Sequence, residues 1–149
     1  MLYLYTKICL MEKRLLVIQE HDAKRAGLHW DVRFENGGDI SEYLEKRYPN
    51  TPEPMYSTTG KVLKSFVIPK HEFPKKGVFR MVILVEDHPW DYKDFSGEIP
   101  TGYGAGEVKL LFSDYVKVSE FSENKITFEF DNKWYMIFKT NKNYLIKQI

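Results

Sequence analysis

The sequence predicts a mainly β protein, arranged as an antiparallel barrel or sandwich. The chain of 149 residues contains ten tyrosines and ten phenylalanines, and it has many valines and isoleucines, which are residue types that favour strands. In its second half, short apolar segments recur between turn residues, at the close spacing typical of such folds. We expect one domain over residues 1–149, in which residues 1–13 form an N-terminal extension.

The first two predicted strands are expected to pair as a hairpin. Residues 14–21 are predicted to form a first strand with Leu15, Val17, Gln19 and His21 on one face. A turn-like stretch at residues 22–28 leads into an alternating segment at residues 29–35. If the two strands pair, His21 and His29 lie close together at the loop end of the hairpin.

The remaining elements follow in order along the chain. Residues 40–48 have the apolar spacing of a short amphipathic helix, and a loop with several prolines follows it. Residues 62–68 predict a strand, and the nearly continuous apolar run at residues 79–86 predicts a strand buried on both faces. The glycine-rich connector at residues 97–106 is expected to be a loop. Five short strands then complete the prediction, at residues 107–112, 115–121, 125–130, 134–139 and 144–147.

Charge and cysteine content exclude several functional classes. The formal net charge is only +1, so the basic excess of a protein that sheathes long nucleic acid is missing, although a protein that grips a strand end remains compatible. Cys9 is the single cysteine, which excludes a disulfide framework and a thiolate zinc site and fits a cytoplasmic location. The apolar start of the chain is interrupted by Lys7 and is too short to span a bilayer, so no membrane association is expected.

The polar face of the second strand predicts a metal site. His29, Asp31 and Arg33 share one parity of the strand, opposite an apolar face, and two of them are potential metal ligands. Together with His21 they offer two imidazoles and one carboxylate, which can hold a divalent metal and leave positions open for water and substrate. His-x-Asp is a weak motif alone, and His21 on the neighbouring strand strengthens it.

Two arginines and one histidine are candidates for binding a phosphate. A guanidinium offers a planar, permanently charged fork to phosphate oxygens, and Arg33 and Arg80 could act in this way. Arg33 could equally form an ion pair with Glu35 or Glu20. Arg80 stands in an apolar run and needs an anionic partner. His88 could protonate a leaving oxygen or hydrogen-bond a phosphate, although a single loop histidine is usually structural.

Longer motifs carry a resemblance to a known family. In chain order they are His-Asp-Ala-Lys-Arg at 21–25, Leu-His-Trp-Asp-Val-Arg-Phe-Glu at 28–35, Gly-Lys-Val-Leu-Lys-Ser-Phe-Val-Ile-Pro-Lys at 60–70, Arg80 before Val-Glu-Asp-His-Pro-Trp-Asp-Tyr at 85–92, Gly-Glu-Ile-Pro at 97–100 and Tyr-Gly-Ala-Gly at 103–106. They resemble the 3′-phosphoesterase domain of bacterial DNA ligase D. The resemblance runs from about Leu15 to the end of the chain.

The resemblance implies a compact antiparallel β-barrel with one or two short flanking helices, and a manganese-dependent activity that heals DNA 3′ ends. Such an enzyme removes a 3′-terminal ribonucleoside from a primer strand and hydrolyses the remaining 3′-phosphate to a 3′-hydroxyl. By position, the implied metal ligands are His21, His29 and Asp31, the groups that hold the scissile phosphate are Arg33, Arg80 and His88, and polar residues of the same pocket are Gln19 and Tyr92. The first two groups form the implied catalytic set.

The resemblance also implies partners. The substrate would be a primer-template 3′ end that carries a ribonucleotide or a 3′-phosphate. No polymerase or ligase domain accompanies the motifs, so we expect a stand-alone version that works with a separate DNA ligase, polymerase or end-binding protein.

Two other functions remain open from the sequence. His29-x-Asp31 with a distant His88 is also the outline of the 2-His-1-carboxylate iron site of oxygenases, which occur on β-barrels too. Two arginines near the metal suit a phosphate better than a small keto acid. The second alternative is a module that binds DNA ends without cutting them.

Overall fold

The computed structural model describes residues 12–37, 61–102 and 104–149 of the chain. The helix expected at residues 40–48 and most of the expected N-terminal extension lie outside these ranges. Within them the chain is mainly strands, with a 3-10 helix at Trp90–Asp94. None of the helices in the described ranges is both long and apolar enough to cross a membrane.

Ten strands follow one another in the described residues. They are β1 (Glu12–Ala23), β2 (Gly27–Asn36), β3 (Val62–Ile68), β4 (Phe79–Leu84), β5 (His88–Pro89), β6 (Gly97–Ile99), β7 (Gly106–Phe121), β8 (Lys125–Phe130), β9 (Lys133–Lys139) and β10 (Tyr144–Gln148).

Eight of these strands close into an antiparallel barrel. The order around the barrel is β1, β2, β3, β4, β10, β9, β8 and β7, and β7 pairs back onto β1. The short strands β5 and β6 pair with β3 and β7 respectively, outside this circle. The prediction of a mainly β, antiparallel fold is confirmed, and the closure between β1 and β7 makes it a barrel rather than a sandwich.

The barrel interior is filled by side chains of one parity from each strand. Val32 and Phe34 of β2 point inwards and meet Ile18, Phe66 and Phe128 from neighbouring strands, all of them almost fully buried. The ring centroids of Phe34 and Phe128 lie 5.0 Å apart. Because one parity of β2 fills the interior, the other parity must face outwards.

Strand β4 corrects the expectation of burial on both faces. Val82 is buried in the barrel core, but Phe79, Met81 and Ile83 are roughly half exposed on the opposite face. A barrel wall has one interior face, so a strand in it needs a separate cover to be buried on both. Its apolar sequence shows only that water contact is disfavoured, and cannot show whether such a cover exists.

Strand β7 corrects the predicted boundary between residues 107–112 and 115–121. These segments form one strand of 16 residues, which pairs with β1 from Gly106 to Val118. The intervening Ser113 and Asp114 pair with Val17 and Leu16, so the polar pair continues the strand instead of turning it. The connector expected to be a loop at residues 97–106 contains β6, which begins at Gly97.

Candidate metal and phosphate site

The predicted polar face of β2 lies on the outside of the barrel. His29, Asp31 and Arg33 point away from the interior, and Gln19 and His21 of β1 share their face. All five are nevertheless buried. The segment from β5 through the 3-10 helix covers this face, because its aromatic side chains pack on the outward apolar residues of β1 and β3. The site is therefore a shielded patch of the outer wall.

The β1–β2 hairpin brings the predicted ligands together, as its alternation indicated. His21 pairs directly with His29, and their ring centroids lie 4.8 Å apart. Gln19 pairs with Asp31 in the neighbouring row. The strands extend further than predicted, to Ala23 and from Gly27, so the turn spans only residues 24–26. The two histidines therefore lie inside regularly paired strands, and not at the strand ends where they were expected.

Three potential ligand atoms converge at the end of this hairpin. Nδ1 of His21 lies 3.3 Å from Oδ2 of Asp31, and Nε2 of His29 lies 3.3 Å from Oδ1 of the same carboxylate. One ligand atom from each residue can be chosen so that all three lie within 4.8 Å of one another. Two imidazole nitrogens and a carboxylate oxygen in this arrangement form half of an octahedral shell, or three corners of a tetrahedron.

The backbone fixes which nitrogen of each histidine faces the carboxylate. Nε2 of His21 lies 2.7 Å from the Gly104 carbonyl oxygen, and Nδ1 of His29 lies 3.0 Å from that of Gly27. A carbonyl only accepts, so these nitrogens carry protons and donate them. In neutral rings the remaining nitrogens then direct lone pairs at Asp31, and either a proton on an imidazole or a metal cation can relieve the resulting repulsion. This donor set fits a divalent metal, with the carbonyls orienting its ligands.

The charges within the triad depend on one another. The hydrogen bond to Asp31 raises the pKa of His29, although burial opposes the shift. Burial raises the pKa of Asp31, but the hydrogen bond from His29 and the charge of Arg33 outweigh it and keep the pKa below its ordinary value. The carboxylate is therefore ionised at neutral pH, as a metal ligand must be, and a proton on His29 competes with the metal.

Gly106 lies two residues after Gly104, whose carbonyl orients His21. A small substitution at Gly106 is therefore expected to have a large effect. A Cβ on Gly106 would lie 2.1 Å from the Asp22 carbonyl oxygen, and its φ is +147°. We expect Gly106→Ala to lower the unfolding free energy by about 2 kcal/mol and to weaken metal binding, because β7 must move away from β1 and take Gly104 with it. Urea unfolding and metal titration measure the two effects.

Gly77→Ala is the matched control for Gly106→Ala. Gly77 also has a positive φ, +88°, but its Cβ would meet nothing within 4 Å, and it lies outside the site. It should therefore show only the cost of the backbone conformation and leave metal affinity unchanged. Equal weakening of metal binding in both variants would contradict the role assigned to Gly106.

Arg33 occupies the floor of the site beside the triad. Its side chain is buried, its Nε donates to Oε1 of Gln19 at 2.8 Å, and its Nη2 lies 3.4 Å from Oδ2 of Asp31. Its guanidinium carbon lies 5.0 Å from the ring centroid of Tyr92. The alternative ion pair with Glu35 is not formed, since that carboxylate accepts from Lys61 and from the backbone N–H of Leu15.

Gln19 joins this floor to the covering segment. Its amide Nε2 donates to the carbonyl oxygens of Tyr92 and Phe95, at 2.9 and 3.1 Å, while its Oε1 accepts from Arg33. It is completely buried. Gln19 therefore lies beneath the pocket and positions its parts, whereas Tyr92 lines the pocket itself.

His88 is held neutral in the free protein. Burial, and then the charge of Arg33, lower the pKa of His88 to about 4. Its Nδ1 lies 3.0 Å from the Glu86 carbonyl oxygen, so this nitrogen carries the proton and Nε2 presents a lone pair. The ring packs 5.1 Å from that of Tyr92. Without substrate His88 is thus a hydrogen-bond acceptor, and it must gain a proton before it can protonate a leaving oxygen.

The depressed pKa of His88 predicts how stability changes with pH. Between about pH 6.5, the ordinary value, and pH 4 the unfolded chain binds a proton that the folded protein excludes. The stabilising contribution is therefore complete above pH 6.5 and is lost as the pH falls. Relative to His88→Gln, the wild type should lose about 1–2 kcal/mol more unfolding free energy between pH 7 and pH 5.

Chemical unfolding in the presence of a chelator measures this difference. The control is His71→Gln, which changes an exposed histidine outside the pocket and should leave the wild-type pH dependence intact. An identical pH dependence in the wild type and His88→Gln would refute the assignment of a neutral, partly buried imidazole.

A cavity of about 350 Å³ lies over the triad. His21, His29, Asp31, Arg33 and His88 line one part of it. Val67, Ile83 and Val85, from β3 and from β4 with the turn that follows, line another part. The cavity thus combines a charged region large enough for a phosphate with an apolar region.

Arg80 does not line this cavity. It shares the parity of the core residue Val82, whereas Ile83, of the other parity, lines the cavity. Its Nη2 lies 3.5 Å from Oε1 of Glu72, which supplies the anionic partner that the apolar run required. Five of the six predicted catalytic residues are therefore brought together, and Arg80 is not.

Sequence reasoning missed the backbone and apolar parts of the site. The Gly104 carbonyl that orients His21 lies in the glycine-rich connector, whose residue types predict a loop but do not show what its backbone contacts. The apolar lining by Val67 and Ile83 was hidden because nothing in an apolar strand tells which side chains face a cavity. The strand register locates the apolar part, because Asp31 pairs with Val67 and Val67 pairs with Ile83.

Comparisons with known proteins all indicate the same family. A model of the DNA Ligase D 3′-phosphoesterase domain matches residues 57–138, which include His88 and Tyr92 but exclude β1 and β2. The chain is 39% identical over 92 residues to the multifunctional non-homologous end joining protein LigD of Pseudomonas aeruginosa, covering 61% of this chain and 8% of that protein.

Mycobacterial proteins are similar over more of the chain. The multifunctional non-homologous end joining protein LigD of Mycolicibacterium smegmatis is 33% identical over 117 residues, or 78% of this chain and 12% of the relative. The multifunctional non-homologous end joining DNA repair protein LigD of Mycobacterium tuberculosis is 33% identical over 114 residues, with 76% and 12% covered. The matches therefore span about a tenth of the length of these relatives.

Proposed function

Because the chain belongs to the DNA ligase D 3′-phosphoesterase domain family, we propose that it is a metal-dependent hydrolase that heals DNA 3′ ends. It removes a 3′-terminal ribonucleoside from a primer strand and hydrolyses the resulting 3′-phosphate to a 3′-hydroxyl. The metal is divalent, and we propose Mn²⁺. The observation that carries the proposal is the convergence of His21, His29 and Asp31 next to the buried Arg33 at one cavity.

The proposed roles follow from the chemistry of each side chain. A divalent metal held by the triad would polarise a phosphate oxygen and lower the pKa of a bound water. Arg33 neutralises charge that develops on the phosphate oxygens, and its bonds to Gln19 and Asp31 fix its orientation. Tyr92 packs against both Arg33 and His88 and keeps the pocket compact.

Two hydrolytic steps use the same phosphorus. In the first, water attacks it, the bond to O5′ of the terminal nucleoside breaks, and O5′ takes a proton. In the second, water attacks again, the bond to O3′ of the primer breaks, and inorganic phosphate leaves. The negative phosphate next to His88 raises its proton affinity, so this histidine takes up a proton and donates it to the leaving oxygen, while the attacking water releases its proton to solvent.

Arg80 is proposed as a phosphate-holding residue on the resemblance alone. Its contact with Glu72 and its parity with Val82 give it no contact with the cavity. Turnover of Arg80→Gln on a 3′-phosphate end tests this assignment directly.

We propose that this chemistry belongs to DNA repair by non-homologous end joining in the cytoplasm. A separate DNA ligase, polymerase or end-binding protein would use the healed end. Among the described residues the charged side chains of the site suit a phosphate, and membership of the family favours hydrolysis over the oxygenase chemistry that the ligand set would also permit.

A labelled primer-template that ends in one ribonucleotide tests the proposal. Incubated with Mn²⁺, the wild-type protein should shorten the primer by one residue and then remove the phosphate, and it should leave an all-DNA primer largely intact. A module that only binds ends would retain both primers unchanged while shifting their mobility. Release of succinate with iron, ascorbate and 2-oxoglutarate would support the oxygenase instead.

A further inference from the structure

An apolar wall lies beside the metal triad, and nothing in the proposed phosphate chemistry uses it. The wall consists of Val67, Ile83 and Val85. Ile83 is 43% exposed, which is high for an isoleucine that lines a cavity, whereas His29, Asp31 and Arg33 are almost fully buried. An exposed aliphatic surface of this kind next to a reactive centre is typical of a ligand contact.

The strand register fixes where the wall lies. Asp31 pairs with Val67, and Val67 pairs with Ile83, so these three side chains form one row on the outer face of β2, β3 and β4. Neighbouring strands are about 4.8 Å apart, which puts Ile83 about 10 Å from Asp31. A nucleoside attached to a phosphate at the triad could span this distance.

Because the wall carries no charge, it suits the group on only one of the two sides of the scissile phosphate. On the primer side every further nucleotide brings another negative phosphate, which would need cations around it. On the terminal side there is a single neutral nucleoside and no further phosphate. Three aliphatic side chains suit this neutral group and not a polyanion.

We propose that Val67, Ile83 and Val85 form the binding site for the 3′-terminal nucleoside that leaves in the first step. The inference rests on the proposed function and adds to it the orientation of the strand in the cavity. The wall side chains have no hydrogen-bond donors or acceptors, so they contact the sugar and base without reading the base edge. The four terminal ribonucleosides should therefore be removed at rates within about threefold of one another.

The two steps of the reaction separate this role from the chemistry. A primer that ends in a ribonucleoside fills the wall, whereas a primer that ends in a 3′-phosphate leaves it empty. Ile83→Asn should lower kcat/KM about five- to tenfold on the first substrate, chiefly through KM, and less than about twofold on the second. The partial exposure of Ile83 makes the substitution compatible with folding, and thermal unfolding checks this.

Leu111→Asn is the matched control. Leu111 is 40% exposed on β7 and does not line the cavity, so it should leave both substrates unaffected. As a readout independent of turnover, methyl NMR signals of Ile83 should shift when adenosine and phosphate are added, and those of Leu111 should not.

The outcomes distinguish this inference from the proposed function. Equal losses on both substrates for Ile83→Asn, or no loss on either, would overturn the nucleoside site while wild-type activity upholds the function. A wild-type protein that hydrolyses 3′-phosphate but never removes a ribonucleoside would also overturn it. A wild-type protein inert on both substrates would refute the proposed function and, with it, the inference.

Discussion

Asp31→Asn is expected to abolish divalent-metal binding and to lower turnover at 3′ ends on the order of 1000-fold. Asp31 supplies the only carboxylate of the triad. Its Oδ2 lies 3.3 Å from Nδ1 of His21, and its Oδ1 lies 3.3 Å from Nε2 of His29. An amide has nearly the same shape but no charge to hold the metal between two neutral imidazoles. The fold should persist, because the side chain lies on the outer face and not in the barrel core.

Calorimetric titration with Mn²⁺ and primer turnover measure the two effects of Asp31→Asn. Asp114→Asn is the control, since it makes the same chemical change at an exposed position of β7. It should bind Mn²⁺ with wild-type affinity. Wild-type metal affinity in Asp31→Asn, in a protein that remains folded, would remove Asp31 from the ligand set.

Arg33→Lys is expected to lower turnover about 100-fold while metal binding persists. A lysine keeps the positive charge near Asp31, but its ammonium group cannot also maintain the bond that the planar guanidinium makes to Gln19. Without that bond the charge is no longer fixed against the phosphate. The loss should therefore appear in kcat as well as in KM, because orientation matters most in the transition state.

Arg14→Lys provides the comparison for Arg33→Lys. Arg14 lies on β1 outside the cavity, where it contacts Glu12 and the ring of Phe121. Its replacement should change stability slightly and leave kcat unchanged. If Arg33→Lys turned over like Arg14→Lys, the phosphate would not depend on the buried guanidinium.

The convergence of His21, His29 and Asp31 was predictable because strand geometry is simple. The two-residue period of β2 placed His29, Asp31 and Arg33 on one face, and the hairpin brought His21 beside them. The hydrogen bond from Arg33 to Gln19 was less predictable. It depended on Gln19 entering the floor of the site, which the register of β1 against β2 decides.

The other parts of the fold depend on contacts between distant segments. The exposure of Met81 and Ile83 follows from β4 forming a barrel wall, which is a property of closure between β1 and β7. The parity of Arg80 was hidden for a related reason, since a continuously apolar run does not reveal which face is interior. The Gly104 carbonyl accepts a hydrogen bond from His21 through the backbone, and such a contact cannot be read from residue types.

Anomalous X-ray diffraction from crystals soaked in Mn²⁺ tests the central claim most directly. We predict one strong manganese peak about 2.2 Å from Nδ1 of His21, Nε2 of His29 and a carboxylate oxygen of Asp31, beside the guanidinium of Arg33. The peak should disappear in Asp31→Asn. A fully occupied manganese elsewhere, with none at these three atoms in protein that remains active, would contradict the account.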